Sequence, residues 1–158
     1  MFTNFIPLFC ASFFGSSTLF GQRAVDSVQY YANLIDTSQN TDDWIAGSIF
    51  FRKNKDHRLK NKDTLGAVYD LLLQVIAESK LGEKYFAENT IVEGLELLDQ
   101  RNRSQDSIDI DYRNRFYNEL GIVYRKQNNY NKAIETYDKI LAMNNPRIDS
   151  LKIIMNKG

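Results

Sequence analysis

One cysteine, one histidine and two prolines occur among 158 residues. A single cysteine excludes an internal disulfide framework. The lone histidine, His57, has no cysteine or second histidine with which to hold zinc, and reads as a surface residue. Two prolines and eight glycines exclude collagen-like, proline-rich and glycine-rich classes. Neither sign of charge is in surplus: twenty basic side chains face twenty acidic ones. A general nucleic-acid binder needs a basic excess to displace phosphate counterions, so that class is set aside. No period-two alternation of useful length is present, so no sheet is expected. There is no glycine-rich phosphate loop and no serine in a nucleophile motif, and no pair of carboxylates stands out. Asp106, Asp109 and Asp111 crowd one segment, but a calcium loop also needs a central glycine and a terminal glutamate, and neither is there. Catalysis, metal and cofactor are therefore not expected.

Charge is also missing from the first 21 residues, MFTNFIPLFCASFFGSSTLFG; every charged side chain lies from Arg23 onward. An apolar centre over Phe5–Phe14, followed by Gly15, Ser16, Ser17 and Gly21, has the layout of a secretory signal. The run is shorter than the roughly 20 apolar residues that span a bilayer. Cleavage is expected between Gly21 and Gln22, with a site near Ser17 as the alternative. Phe9 before Cys10 argues against lipid attachment. If the leader acts as a signal, the protein is exported to the periplasm or cell envelope; otherwise it is cytoplasmic.

From Gln22 onward the pattern is helical. Val25, Val28, Tyr31 or Ala32, and Ile35 share one face over residues 25–35. A polar run follows, and an apolar-periodic stretch opens at Asp43-Trp44 and continues through Phe51. Residues 52–63, RKNKDHRLKNKD, read as a solvated helix face and turn. Thr64 is the expected N-cap of a helix carrying Leu65, Val68, Leu72, Val75 and Ile76 at three- and four-residue steps. Leu81-Gly82 ends it. The next helix, Lys84 to Leu98, turns Ala87, Ile91, Gly94, Leu95 and Leu98 inward. Residues 99–111 read as a polar loop. Helices near 112–127 and 130–143 follow, with Asn128-Asn129 as the turn between them and Asn144-Asn145-Pro146 as the stop.

The last pair carries a motif. Residues 114–146 place Tyr117, Leu120-Gly121, Tyr124, Ala133, Tyr137 and Pro146 at fixed spacing, and this segment resembles a tetratricopeptide repeat. Small residues are needed where the two helices cross, at Gly121 and Ala133, and the three tyrosines fill the space around them. One such unit cannot bury its own face, so neighbours are required. Upstream, Leu71, Val75, Ala87 and Ile91 keep the same offsets as a degenerate copy, with Gln74, Val75 and Glu78 in place of Leu, Gly and Tyr. Residues 148–158 parallel the start of a further repeat, with Ile154 at the place of Tyr117.

The expected fold is all-α, a tetratricopeptide-like solenoid of antiparallel helix pairs, truncated at its C-terminus. Its parts are a leader (1–21), N-terminal helices (22–63), a degenerate repeat with its loop (64–111), the clear repeat (112–146) and the start of another (147–158). An unfinished end would leave Ile134, Ile140, Leu141, Ile153 and Ile154 wet and favour self-association there. The resemblance implies a non-catalytic scaffold that binds a protein or peptide in a concave groove lined by the first helices, here through Asn118, Ile122, Arg125 and Lys126. The family's grip on a terminal carboxylate uses Lys and Asn where Asn118 and Ile122 stand, so that grip is not implied. The alternative is the sensor region of a bacterial signalling protein, with a kinase or DNA-binding output beyond Gly158.

Overall fold

The computed structural model describes residues 16–102 and 106–143, together with 153, 154 and 156; side chains are described from Ser27. Six helices occur among them: α1 (Ser16–Thr37), α2 (Thr41–Lys60), α3 (Thr64–Leu81), α4 (Lys84–Gln100), α5 (Ser107–Lys126) and α6 (Tyr130–Ala142). No strand occurs among the described residues. Tight connections with specific chemistry set these boundaries. Asn40 caps α2 by accepting the Asp42 N–H at 3.1 Å. Gly82 ends α3 at φ 76°, a left-handed conformation that glycine adopts without a Cβ penalty. Asn128 turns the chain between α5 and α6 at φ 59°; its short polar side chain tolerates that region better than most.

Three expected boundaries are corrected. The N-cap of α3 is Asp63, and Thr64 is the first helical residue. The Asp63 carboxylate accepts the Gly66 N–H at 2.9 Å and is itself held by Arg58 at 2.6 Å; an ionised cap also interacts favourably with the helix N-terminus. The polar loop is much shorter than 99–111. α4 runs to Gln100, and Asp106 caps α5, accepting the Ile108 N–H at 2.9 Å. Asp109 and Asp111 are therefore helical. Asp109 is fully buried and enters α5 because Arg101 reaches both its oxygens, at 3.0 and 3.1 Å. The first helix is longer than 25–35, beginning at Ser16 and passing through Gly21. Residues 1–15, with the apolar centre of the leader and Cys10, lie outside the described residues, as does the Pro146 stop.

The helices pair in sequence as hairpins α1–α2, α3–α4 and α5–α6. First helices lie against first helices, α1 on α3 and α3 on α5, and each second helix packs on the next first helix, α2 on α3 and α4 on α5. α3 is thus enclosed on four sides, which is why its apolar residues are not confined to one stripe. Val68, Leu71, Leu72 and Val75 of α3 meet Ile91 and Leu98 of α4 and Phe116 of α5 in the main core. A second cluster joins Ile35, Phe51, Leu73 and Ala77, with Val28, Tyr31 and Ala32 packed on it. A third joins Ala133, Tyr137 and Ile140 to Ile153. Ile140 and Ile153 are thus buried and Leu141 is half-buried, whereas Ile134 and Ile154 are exposed. The end of the array is better covered than expected, and Ile153, not Ile154, provides the cover.

Candidate functional site: the first-helix groove and its supports

Gly121 lies where α5 crosses α6. A Cβ placed on it would stand 2.4 Å from Cε1 and 2.5 Å from Cζ of Tyr137. The Tyr137 ring is fully buried, beside Ala133 and Ile140. Tyr117 and Tyr124 pack at the edge of the same cluster. Gly121 therefore makes room for the Tyr137 ring, and Ala133 is buried in the same cluster. Leu120 turns the other way, onto the main core. Tyr124 also donates its hydroxyl to Glu88 at 3.1 Å, tying this hairpin to α4.

The degenerate copy keeps the offsets and changes the chemistry. Leu71, Val75, Ala87 and Ile91 are all fully buried, as their counterparts predict. Gln74 and Glu78, which replace signature residues, form a buried polar network with Thr90. Gln74 donates to Glu78 Oε1 at 2.7 Å, and Thr90 donates to Glu78 Oε2 at 2.8 Å. The two replacements support each other: a carboxylate in the tyrosine's place needs donors, and the residue one turn earlier supplies one. Burial still pushes the Glu78 carboxyl above its usual range, against the pull of those bonds and of Arg52.

The basic run on α2 is only partly a solvated face. Arg52, Lys55 and Arg58, at three-residue steps, reach Glu78 at 3.6 Å, Glu93 at 2.7 Å and Asp70 at 2.9 Å. This ladder fastens α2 across α3 and α4. Its anionic partners lie within the chain, and their positions on other helices hid them from local sequence reading. Asp70 is fully buried; Asn54 donates to its Oδ2 at 2.8 Å, and its Oδ1 has no hydrogen-bond partner. Burial pushes Asp70 up to about 6, against the opposing pull of Arg58 and Asn54. A recess of about 380 Å³ lies beside this cluster, lined by Val28, Gln29, Asn54, His57, Arg58, Asn61 and Asp63. No group of three or more metal-ligating side chains occurs among the described residues.

The four residues expected to line the groove lie on α5. Asn118 and Ile122 are half-buried; Arg125 and Lys126 are exposed. Three of them engage the chain itself. Asn118 Oδ1 accepts from the Asn156 side chain at 3.1 Å, and Arg125 donates to the Asn156 carbonyl at 2.9 Å. Lys126 donates to the Ser79 carbonyl at 2.6 Å and to its hydroxyl at 3.2 Å. That last contact has a counterpart. Lys80 follows Val75 by the interval at which Lys126 follows Gly121, and it donates to the carbonyls of Ile35 and Asp36. α3 and α5 thus each end in a lysine that satisfies carbonyls at the end of the preceding first helix, where the helix dipole favours a cation. Equivalent spacing in the two copies was the signal for this pair, and only the packing of α1, α3 and α5 reveals what it does. Among the described residues, no helix is long and apolar enough to cross a membrane.

No curated protein and no solved structure matches the chain. The family model of the tetratricopeptide repeat matches residues 115–145, the segment that holds the Gly121–Tyr137 crossing. Residues 115–145 thus form a tetratricopeptide repeat, and the family is supported for that segment of the chain.

Proposed function

We propose that this protein is a non-catalytic scaffold that receives a protein or peptide segment in the groove lined by α1, α3 and α5. Tetratricopeptide repeats mediate protein–protein interactions. The observation that carries the reading is the repeat at 115–145, stacked first helix on first helix with its neighbour. Ile122 supplies an apolar contact near the C-terminal end of α5, and the Arg125 guanidinium one turn on suits a carboxylate or a backbone carbonyl. Asn118 and Lys126 border this contact and are braced by Asn156 and Ser79. A displayed peptide library selected on the immobilised full chain tests the groove. Selected peptides should lose binding to an Ile122→Glu variant and keep it with Ile134→Glu on the exposed side of α6. Equal loss with both variants, or with neither, would remove the groove from the proposal.

Export belongs to the same proposal and rests on the uncharged leader. Protein recovered from its host should begin near Gln22 on N-terminal sequencing. Recovery with Met1 intact would overturn export and leave the scaffold reading standing.

A further inference from the structure

Half of the ten large apolar side chains that stand exposed among the described residues sit on two neighbouring second helices: Ile45 and Ile49 on α2, and Tyr85, Phe86 and Val92 on α4. Tyr85 is 72% exposed, well beyond what a scattered surface aromatic needs to be noticed. These side chains are not scattered. On α2 the exposed stripe runs Ile45, Ile49, Lys53, Asp56, Lys60; on α4 it runs Tyr85, Asn89, Val92, Glu96, with Asp99 beyond. Helical spacing puts each set on one face. Both stripes are apolar in their N-terminal half and charged in their C-terminal half. The charges differ in balance: α2 carries Lys53 and Lys60 beside an Asp56 that Lys55 already holds at 3.2 Å, and α4 carries only the carboxylates Glu96 and Asp99. Lys53, Lys60 and Glu96 take part in none of the ion pairs among the described residues.

The level of one stripe against the other follows from the Lys55–Glu93 bond, which joins residues 38 apart. At that offset Ile45 and Ile49 bracket the height of Tyr85 and Phe86. Val92 stands level with the stem of Lys53, and Lys60 falls between Glu96 and Asp99. α2 and α4 run in the same direction, because each is the second helix of its hairpin. A two-fold axis parallel to these helices and midway between them preserves height and direction. It carries α2 of one copy onto α4 of the other, and α4 onto α2.

We propose that this surface is the interface of a closed two-fold dimer of the chain, in which α2 of each protomer lies parallel on α4 of its partner. Ile45 and Ile49 then cover Tyr85 and Phe86 twice over, and Lys60 meets Glu96 twice. The interface is self-complementary, so it closes at two copies instead of continuing as a filament. It uses the second helices only. The groove faces of both protomers point away from each other, so the dimer presents two grooves, and a partner with two binding segments gains avidity. The proposal does not depend on the groove: the dimer forms whether or not α5 binds a peptide.

Sedimentation equilibrium of the full chain over a concentration series tests it, with two single variants, Lys60→Glu and Glu96→Lys, whose fold is checked by circular dichroism. Wild type should fit a monomer–dimer equilibrium. Each variant alone places like charges together at both halves of the interface and should weaken dimerisation by at least about tenfold. An equimolar mixture of the two should dimerise about as well as wild type, because both halves of the mixed dimer again pair opposite charges. A monomeric wild type would overturn the proposal and leave the stripes to another partner. Open-ended assembly would overturn closure. A dimer insensitive to either reversal, as expected of association through the C-terminal end, would overturn the interface.

Discussion

Replacing Gly121 by leucine should abolish cooperative unfolding of the α5–α6 hairpin, and replacing it by alanine should already be costly. A single added methyl group meets the Tyr137 ring at 2.4–2.9 Å, closer than real Cβ contacts come. The ring has nowhere to retreat, being fully buried in the cluster that also holds Ala133, Ile140 and Ile153. Overpacking of this kind costs roughly 1–3 kcal/mol, and at this chain length each kcal/mol lowers the melting temperature by about 2–4 °C. Leucine adds three more carbons to the same gap. Gly94 offers a parallel case, since a Cβ there would stand 2.3 Å from Cζ of Phe116 at the contact between α4 and α5. Glu135→Ala, on the exposed side of α6, should stay within about 0.5 kcal/mol. Thermal unfolding of the purified chain separates the cases. A Gly121→Ala variant as stable as Glu135→Ala would mean that the crossing is looser than described.

The steric side of this architecture is legible in the sequence because it repeats. Gly121, Ala133 and Tyr137 stand at spacings that a close helix crossing demands, and Val75, Ala87 and Ile91 repeat those spacings where the signature itself has changed. Helix ends were legible where one residue determines them, as at Gly82 and Asn128. They were missed where a cap competes with its neighbour. Thr64 is also a capping type, though a weaker one than Asp63, and Arg58, which lies in another helix, further holds the Asp63 carboxylate in place. The loop at 99–111 was overextended for a related reason. Asp109 looks like a loop residue until Arg101 neutralises it, and that pairing closes only once α4 and α5 have formed. The electrostatic core was the least legible part. Arg52, Lys55 and Arg58 form a basic run in sequence, and their partners at Glu78, Glu93 and Asp70 are defined by how α2 lies on α3 and α4. Asn118, Ile122, Arg125 and Lys126 lie on α5. That Asn118 and Arg125 hold Asn156, and Lys126 holds Ser79, depends on contacts with residues outside the repeat at 115–145 that the repeat alone does not encode.

The buried carboxyls of Asp70 and Glu78 should give the protein an unusual dependence of stability on pH. Stability should fall as the pH rises from about 4 to 7, a range over which many proteins gain it. Asp70 carries the largest share. Its ordinary value of 3.8 is pushed up to about 6 in the folded chain, because burial penalises the carboxylate more than Arg58 and Asn54 favour it. Glu78 is displaced in the same direction by its own burial. Between 3.8 and about 6 the folded chain therefore binds more protons than the unfolded chain, and the slope of unfolding free energy against pH is negative there. The contribution is fully present below 3.8 and lost as the pH passes through about 6. For Asp70 alone the displacement corresponds to about 3 kcal/mol between the two limits. Asp63 acts oppositely. Its folded value is lowered by the Gly66 N–H and Arg58 despite some burial, so the stability it contributes is lost only as the pH falls below the usual carboxylate range. The melting temperature should thus be higher at pH 5 than at pH 7. Asp70→Asn should flatten that difference, since the amide keeps a polar group beside Asn54 and carries no proton to lose. Arg58→Gln should steepen it, because Asp70 then loses the cation that restrains its shift. Melting temperatures of the three proteins at pH 5, 6 and 7 decide the matter. A wild type more stable at pH 7 than at pH 5, with the same slope in Asp70→Asn, would show that Asp70 is ionised throughout and that Arg58 compensates its burial in full.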